Sequence, residues 1–203
     1  MDDDLALHDT IMGKAVFTKR SYKKGEEIIE FTGDVIRYDN LPECYDHYFQ
    51  IDKHYYMGPS GTYDDFINHS CNPNAGLFFE RDRIILKAIK QIKEGEELFW
   101  DYSTTMDEDN WEMDCLCGSK HCRGRIRDFK YLPGQIQAKY LTLGIVPYYL
   151  VPEKEVEYAS MTYPEFAFFN NSDLSFATLS KNNRYLFLSY QICFSLLPVY
   201  YRK

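Results

Sequence analysis

The chain has 203 residues, which suits one compact domain with a small appendage better than two full domains. Hydrophobic residues make up 45% and aromatic residues 17%, ample for a core. The formal net charge of −8 argues against a nucleic-acid surface, which needs a basic patch; it suits a basic partner such as a lysine-rich peptide, or plain solubility.

Met1-Asp2-Asp3-Asp4 opens the chain without the basic-then-apolar run of a signal peptide. From Ala15 to Ile36, short apolar runs (Ala15-Val16-Phe17, then Glu27-Ile28-Ile29-Glu30-Phe31) flank the polar turn Lys23-Lys24-Gly25-Glu26 and predict hairpin strands. Tyr48 to Tyr56 predicts another strand unit, turning at Asp52-Lys53-His54. Phe66-Ile67-Asn68-His69-Ser70-Cys71-Asn72-Pro73-Asn74 then sets polar groups inside an apolar flank. Standing alone, such a stretch is an Asx-rich turn; if buried, each donor and acceptor in it needs a partner. The hairpin pattern returns at Arg83 to Ala88 and Glu97-Leu98-Phe99-Trp100, around Lys93-Glu94-Gly95-Glu96, and runs into Asp101-Tyr102.

A polar, acidic connector over residues 103–114 leads to Cys115-x-Cys117-x4-Cys122. Three of the six cysteines within eight positions is metal-ligand density rather than a disulfide framework. Cys44 and Cys193 fit no such spacing and are expected to be free core thiols. Leu132 to Leu141 predicts a helix, with Pro133 in its first turn and Gly144 placed to end it. Beyond Pro152, Asn, Ser, Tyr and Phe dominate without a period. The most apolar stretch, Tyr185 to Val199, is shorter than the roughly 20 residues a bilayer span needs and is interrupted by Ser189, Gln191, Ser195 and Pro198. The expectation is a cytoplasmic protein with no membrane span.

Four separated motifs then stand in order: Gly13-Lys14-Ala15-Val16-Phe17, the Asn68-His69-Ser70-Cys71 run, Glu96-Glu97-Leu98 with Asp101-Tyr102, and the cysteine cluster. Together they resemble the SET-domain family of protein-lysine methyltransferases, over Gly13 to about Arg125. Gly58 to Asp65 looks more like the bacterial branch than the animal histone enzymes, which usually carry Arg where this chain has Asp65. The resemblance implies an α+β, mainly β fold: a β-clip of small sheets with a C-terminal pseudoknot, in which Asp101-Tyr102 threads beside Asn68-His69. It divides the chain into a SET domain over residues 5–104, a post-SET zinc segment over residues 105–127, and an extension over residues 128–203 with a helix at about 132–143.

It also implies S-adenosylmethionine as methyl donor and a lysine-bearing substrate, a histone or another basic protein. By the same likeness, the backbone of Met12, Gly13, Lys14 and Ala15 holds the methionine end, and Asn68 meets it from the other side. His69 binds adenine through its backbone, and Tyr63, Tyr102 and Leu116 complete the cofactor site. Ala15 takes the place of the second glycine of the usual Gly-x-Gly and does not readily adopt φ > 0. Phe31, Phe66, Trp100 and Tyr102 would line the substrate channel, with Tyr102 the catalytic residue. Phe31 stands where many relatives have Tyr, and Trp100 where Phe or Tyr is usual; the bulkier indole predicts a narrow channel and mostly monomethylation. Zinc wants four ligands in tetrahedral array. The family pattern gives it Cys71, Cys115, Cys117 and Cys122, with His121 a local alternative beside Cys122.

Two other functions fit the same residues. One is a catalytically silent SET module that binds a peptide or partner; the other is a zinc-stapled interaction protein whose aromatic tail is the working part. As a secreted bacterial effector, the protein would act in a host nucleus.

Overall fold

The computed structural model describes residues 2–109 and 111–151. The chain divides into two compact units, residues 1–156 and 157–203. The described residues fall in the first, so the expectations for the aromatic tail, for Tyr185 to Val199 and for Cys193 lie outside them.

The described residues form twelve short strands and one α-helix. A hairpin of β1 (Leu5–Thr10) and β2 (Gly13–Thr18) comes first. A three-stranded sheet follows in the order β3 (Glu27–Phe31), β9 (Arg83–Ala88), β8 (Ala75–Glu80). A second is ordered β4 (Val35–Arg37), β6 (Tyr55–Met57), β5 (Phe49–Gln50). Two pairs complete the set: β7 (Asn68–His69) runs parallel to β10 (Phe99–Trp100), and β11 (Glu112–Asp114) runs antiparallel to β12 (Arg125–Arg127). β9 is central in its sheet, which is why Ile84-Ile85-Leu86 reads as a continuous apolar run rather than an alternation.

The two Lys-x-Gly-Glu turns form as the sequence suggests. Gly25 and Gly95 take φ of 90° and 79°, and the carboxylates of Glu26 and Glu96 accept from the backbone N–H of Lys23 and Lys93. Their flanking strands, however, do not close into two separate hairpins. β3 pairs with β9, and the bridges Phe17↔Glu97 and Tyr22↔Ile92 join the same two units. Eight residues separate β2 from β3, beyond the two to five of a tight hairpin, so each unit takes its partner from its counterpart in the other. β2 pairs instead with β1, which the sequence reading passed over.

The main core gathers Leu5, Val16, Ile28, Phe31, Leu77, Leu86, Ile92, Leu98 and Trp100. A second cluster lies under α1 (Gly134–Leu143) and holds Ile89, Phe129, Leu132, Tyr140, Ile145 and Val146. Gly144 ends α1 at φ 70°, its N–H turned back to the carbonyls of Leu141 and Tyr140. Gly76 on β8 admits the next turn of chain: a Cβ there would sit 2.6 Å from Ile145 Cγ2. A third, small cluster surrounds Cys71, Cys115 and Ile126.

Candidate functional site

Two segments far apart in sequence meet at β7 and β10. Asn68 lies opposite Phe99 and His69 opposite Trp100, and the Ser70 N–H donates to the Trp100 carbonyl at 3.0 Å. The Asn68 amide donates to the Lys14 carbonyl (3.1 Å) and to Glu97 Oε1 (3.0 Å), fastening β7 to the glycine turn that begins β2. Tyr102 follows β10. Its hydroxyl donates to the Ile67 carbonyl at 3.1 Å, and its backbone N–H donates to His69 Nδ1 at 3.2 Å. Asn68 and Tyr102 are therefore held at one junction. Positive φ in the glycine turn falls on Gly13, at 101°. Ala15 sits fully buried in β2 opposite His8, so its Cβ costs nothing there.

Asp101, one residue before Tyr102, points the other way. Its side chain has no exposed surface and receives Arg123 in a two-pronged pair (2.7 and 2.8 Å), the Tyr140 hydroxyl (2.9 Å) and the Ser103 N–H (3.1 Å). Arg123 also reaches Ser103 Oγ at 3.2 Å. One carboxylate thus ties the segment that follows β10 to the cysteine segment and to α1. Burial opposes the Arg123 charge, but the bonds to Asp101 outweigh it and hold the guanidinium firmly protonated. Sequence reading missed this hub, because neither Arg123 nor Tyr140 stands near Asp101 in the chain.

The cysteines converge. Cys71 Sγ lies 3.6 Å from Cys115 Sγ, and the Cys115 thiol interacts with the side chains of Cys117, Cys122 and Cys71. Ligand atoms of His69, Cys71, Cys115 and Cys117 all lie within 4.8 Å of one another. Burial pushes the Cys71 thiol up to about 11 and Cys115 higher still. Burial also opposes ionisation of Cys117, but the backbone at Cys71 and Ser119 and the thiols of Cys115 and Cys122 bring it down to about 7. Thiols crowded together in this way suit a divalent metal, which replaces their protons. The donor set therefore fits a thiophilic ion such as zinc. His121 is exposed and lines a neighbouring cavity, apart from that group.

The remaining predicted residues are placed as follows. Phe31 and Trp100 are core residues, 4% and 5% exposed, joined edge-on at 6.1 Å with Phe49 against both. Trp100 also meets the Tyr102 ring at 4.9 Å. Phe66 and Tyr63 pack partly buried on the same core. Phe49, a third ring of this cluster, was not singled out in the sequence, although it lies in the strand unit predicted at Tyr48 to Tyr56. Met12 and Leu116 are apolar yet 50% and 61% exposed. A cavity of about 530 Å³ opens between the body and the cysteine segment, lined in part by Ser70, Glu97, Phe99 and Cys117. Asp65 caps a turn: its carboxylate accepts from the N–H groups of Ser60 and Gly61. Cys44 is exposed, against the expectation of a free core thiol, and is not among the free cysteines of the described residues; it sits in a polar surface loop beside Asp46.

Residues 13–103 match the SET domain family. Its relatives include proteins named histone-lysine methyltransferases. It is 34% identical over 130 residues to histone-lysine N-methyltransferase set-2 of Caenorhabditis elegans, covering 56% of this chain and 8% of that protein. Against histone-lysine N-methyltransferase 2B of Homo sapiens it is 34% identical over 131 residues, 56% of this chain and 5% of the other. The chain thus spans less than a tenth of these relatives. Among solved structures, KRYPTONITE in complex with mCHG DNA and SAH superposes with a TM-score of 0.52 at 27% identity, over 61% of this chain and 29% of that one. KRYPTONITE with mCHH DNA, an H3(1-15) peptide and SAH gives 0.50. The expected leaning toward the bacterial branch gains no support from these relatives, which are an animal pair. No helix among the described residues is long and apolar enough to cross a membrane.

Proposed function

We propose that the chain is an S-adenosylmethionine-dependent protein-lysine N-methyltransferase acting on a basic protein tail of the histone class. The observation that carries this reading is the junction of Asn68 and Tyr102 beside the Gly13 turn. Bound S-adenosylmethionine would supply an electrophilic methyl group on a sulfonium cation. Asn68 has committed both amide hydrogens, to Lys14 O and Glu97 Oε1, and so presents Oδ1 as an acceptor for the donor's ammonium end. The half-exposed Met12 and Leu116 are apolar surfaces for the donor to cover, and the adjoining cavity falls in the size range of cofactor pockets. SAH in the KRYPTONITE complexes supports the choice of donor, and the H3 peptide there supports the substrate class.

The acceptor lysine must first lose its proton, an opposing term of roughly 4.6 kcal/mol at pH 7 from its ordinary pKa. An aromatic passage beside a sulfonium lowers that cost by desolvation and like charge. Tyr102 has given its hydroxyl hydrogen to Ile67 O, so toward an incoming amine its oxygen acts as an acceptor and aligns the lone pair for in-line attack. Trp100 against Phe31 and Phe49 narrows the passage and leaves no hydroxyl at the Phe31 position, which favours a single methylation. Zinc on Cys71, Cys115, Cys117 and Cys122 would pin Leu116 near the donor. On this reading residues 5–104 carry catalysis and lend Cys71 to the metal, and residues 105–127 supply its other three ligands.

The test is incubation with labelled donor and a panel of lysine-rich proteins, with Tyr102→Phe as control. Label on a lysine, lost in the variant, is the expected result; mass spectrometry should find the monomethyl form. A silent SET module would transfer nothing, even to itself.

A further inference from the structure

Four ligand atoms within 4.8 Å, those of His69, Cys71, Cys115 and Cys117, describe a possible three-sulfur, one-nitrogen metal site. The hydrogen bonds of His69 argue otherwise. Its Nδ1 accepts the Tyr102 N–H at 3.2 Å, and its Nε2 lies 3.3 Å from Cys71 Sγ. A ring that accepts at Nδ1 is not an imidazolium, and its single proton sits on Nε2. With no lone pair left at Nε2, the ring cannot ligate through that atom. Asp101 Oδ1, 3.5 Å from Nδ1, does not claim a proton there. That oxygen already accepts from Ser103 N (3.1 Å) and Arg123 Nη2 (2.8 Å). Cys71 Sγ meanwhile receives a second donor, the Arg123 N–H at 3.4 Å. Two nitrogens, His69 Nε2 and the Arg123 N–H, thus converge on one sulfur.

We propose that His69 is a positioning residue that ties the cysteine cluster to Tyr102: Nε2–H donates to Cys71 Sγ while Nδ1 holds the backbone of Tyr102. The fourth ligand is then Cys122, whose thiol meets Cys115. The inference rests on the metal reading above and adds a consequence. Cys71 as a metal-bound thiolate would be a stronger acceptor for Nε2–H, and the ring that holds the Tyr102 backbone would be held more firmly. His69 is buried and its ring lies edge-on to Tyr102 at 5.3 Å, so a tilt of one is felt by the other.

Two substitutions separate the roles. His69→Asn keeps an acceptor near the Nδ1 position and loses the donor to sulfur; His69→Gln keeps an amide donor near Nε2 and loses the acceptor. With the full chain loaded with ¹¹³Cd, the cadmium resonance should fall in the four-sulfur range for wild type and for both variants. Long-range ¹H–¹⁵N correlation should show the Nε2–H tautomer. Loss of the outer-shell donor should weaken zinc about 10- to 100-fold in His69→Asn, whereas His69→Gln stays near wild type. Removing zinc should move the Tyr102 amide resonance in wild type. An Nδ1–H tautomer overturns the proposal, as does a three-sulfur, one-nitrogen cadmium shift in wild type. The tautomer measurement needs only wild type, so it decides even if a variant fails to fold. A wild-type chain that binds neither zinc nor cadmium sinks the metal reading itself, and the titration shows that separately.

Discussion

Replacing Arg123 with Ala is the most informative single perturbation of this fold. The guanidinium is 13% exposed and its partner Asp101 not at all, and the pair is two-pronged at 2.7 and 2.8 Å. The variant leaves Asp101 with the Tyr140 hydroxyl and the Ser103 N–H, and with no route to solvent. Breaking a buried pair from one side costs about 3–5 kcal/mol, because the charge left behind is uncompensated. At roughly 2–4 °C per kcal/mol for a chain of this size, the melting temperature should fall by roughly 6–20 °C. Arg123→Lys offers a point charge in place of a fork and should lose less. Arg125→Ala is the internal control: its pair with Glu112 is short, at 2.6 Å, but about half exposed, and such pairs contribute about 0–1 kcal/mol. Urea unfolding of the three variants beside wild type measures the difference. If Arg123→Ala costs no more than Arg125→Ala, the hub is solvated and its role as the tie among three segments fails.

Gly76→Ala should cost about 1–3 kcal/mol by overpacking against Ile145; the double variant with Ile145→Ala should unfold at higher urea than the sum of the two single losses predicts, and strict additivity would refute the contact. Burial raises the Glu108 carboxyl above its ordinary 4.5, even though the hydroxyls of Tyr56 and Tyr45 donate to it. The folded state therefore binds more protons than the unfolded one in that window. Glu108 contributes stability below about pH 4.5 that is lost as pH rises through its folded value, and Glu108→Gln should flatten this decline; equal slopes in a pH series of melts would refute the assignment. Stripping metal with a chelator, or Cys71→Ser, should lower the melting temperature and abolish binding of one zinc per chain, read by elemental analysis. A chain that melts unchanged after chelation has no structural metal.

The parts of the fold legible in sequence were those governed by local chemistry. The two Lys-x-Gly-Glu turns, the apolar run of β9 and the Gly144 stop of α1 each follow from nearby residues. Strand partners did not, because pairing is decided by which edges meet after the chain has travelled: β3 finds β9 across more than fifty residues, and β7 finds β10 across about thirty. At the site, Asn68, Tyr102 and the cysteines were visible as motifs, while Arg123, Tyr140 and Phe49 were not. Arg123 and Tyr140 act on a carboxylate 22 and 39 residues away, and no spacing rule joins them to it.

The parallel pair of β7 and β10 has two residues in each strand, far below the length at which strands hold together unaided. Yet it sets the position of both Asn68 and Tyr102. Its stability must come from what grips its ends. Upstream, the Asn74 side chain donates to the Glu97 carbonyl at 2.7 Å and accepts from the Phe99 N–H at 2.9 Å, holding β10 from the side. Downstream, alternation turns Asp101 inward to Arg123 and Tyr140 while Tyr102 faces Ile67. The cysteine loop and α1 therefore act on Tyr102 through the residue beside it. Any change that loosens Asp101 should displace Tyr102 before it disturbs the three-stranded sheet, whose central strand is paired on both sides.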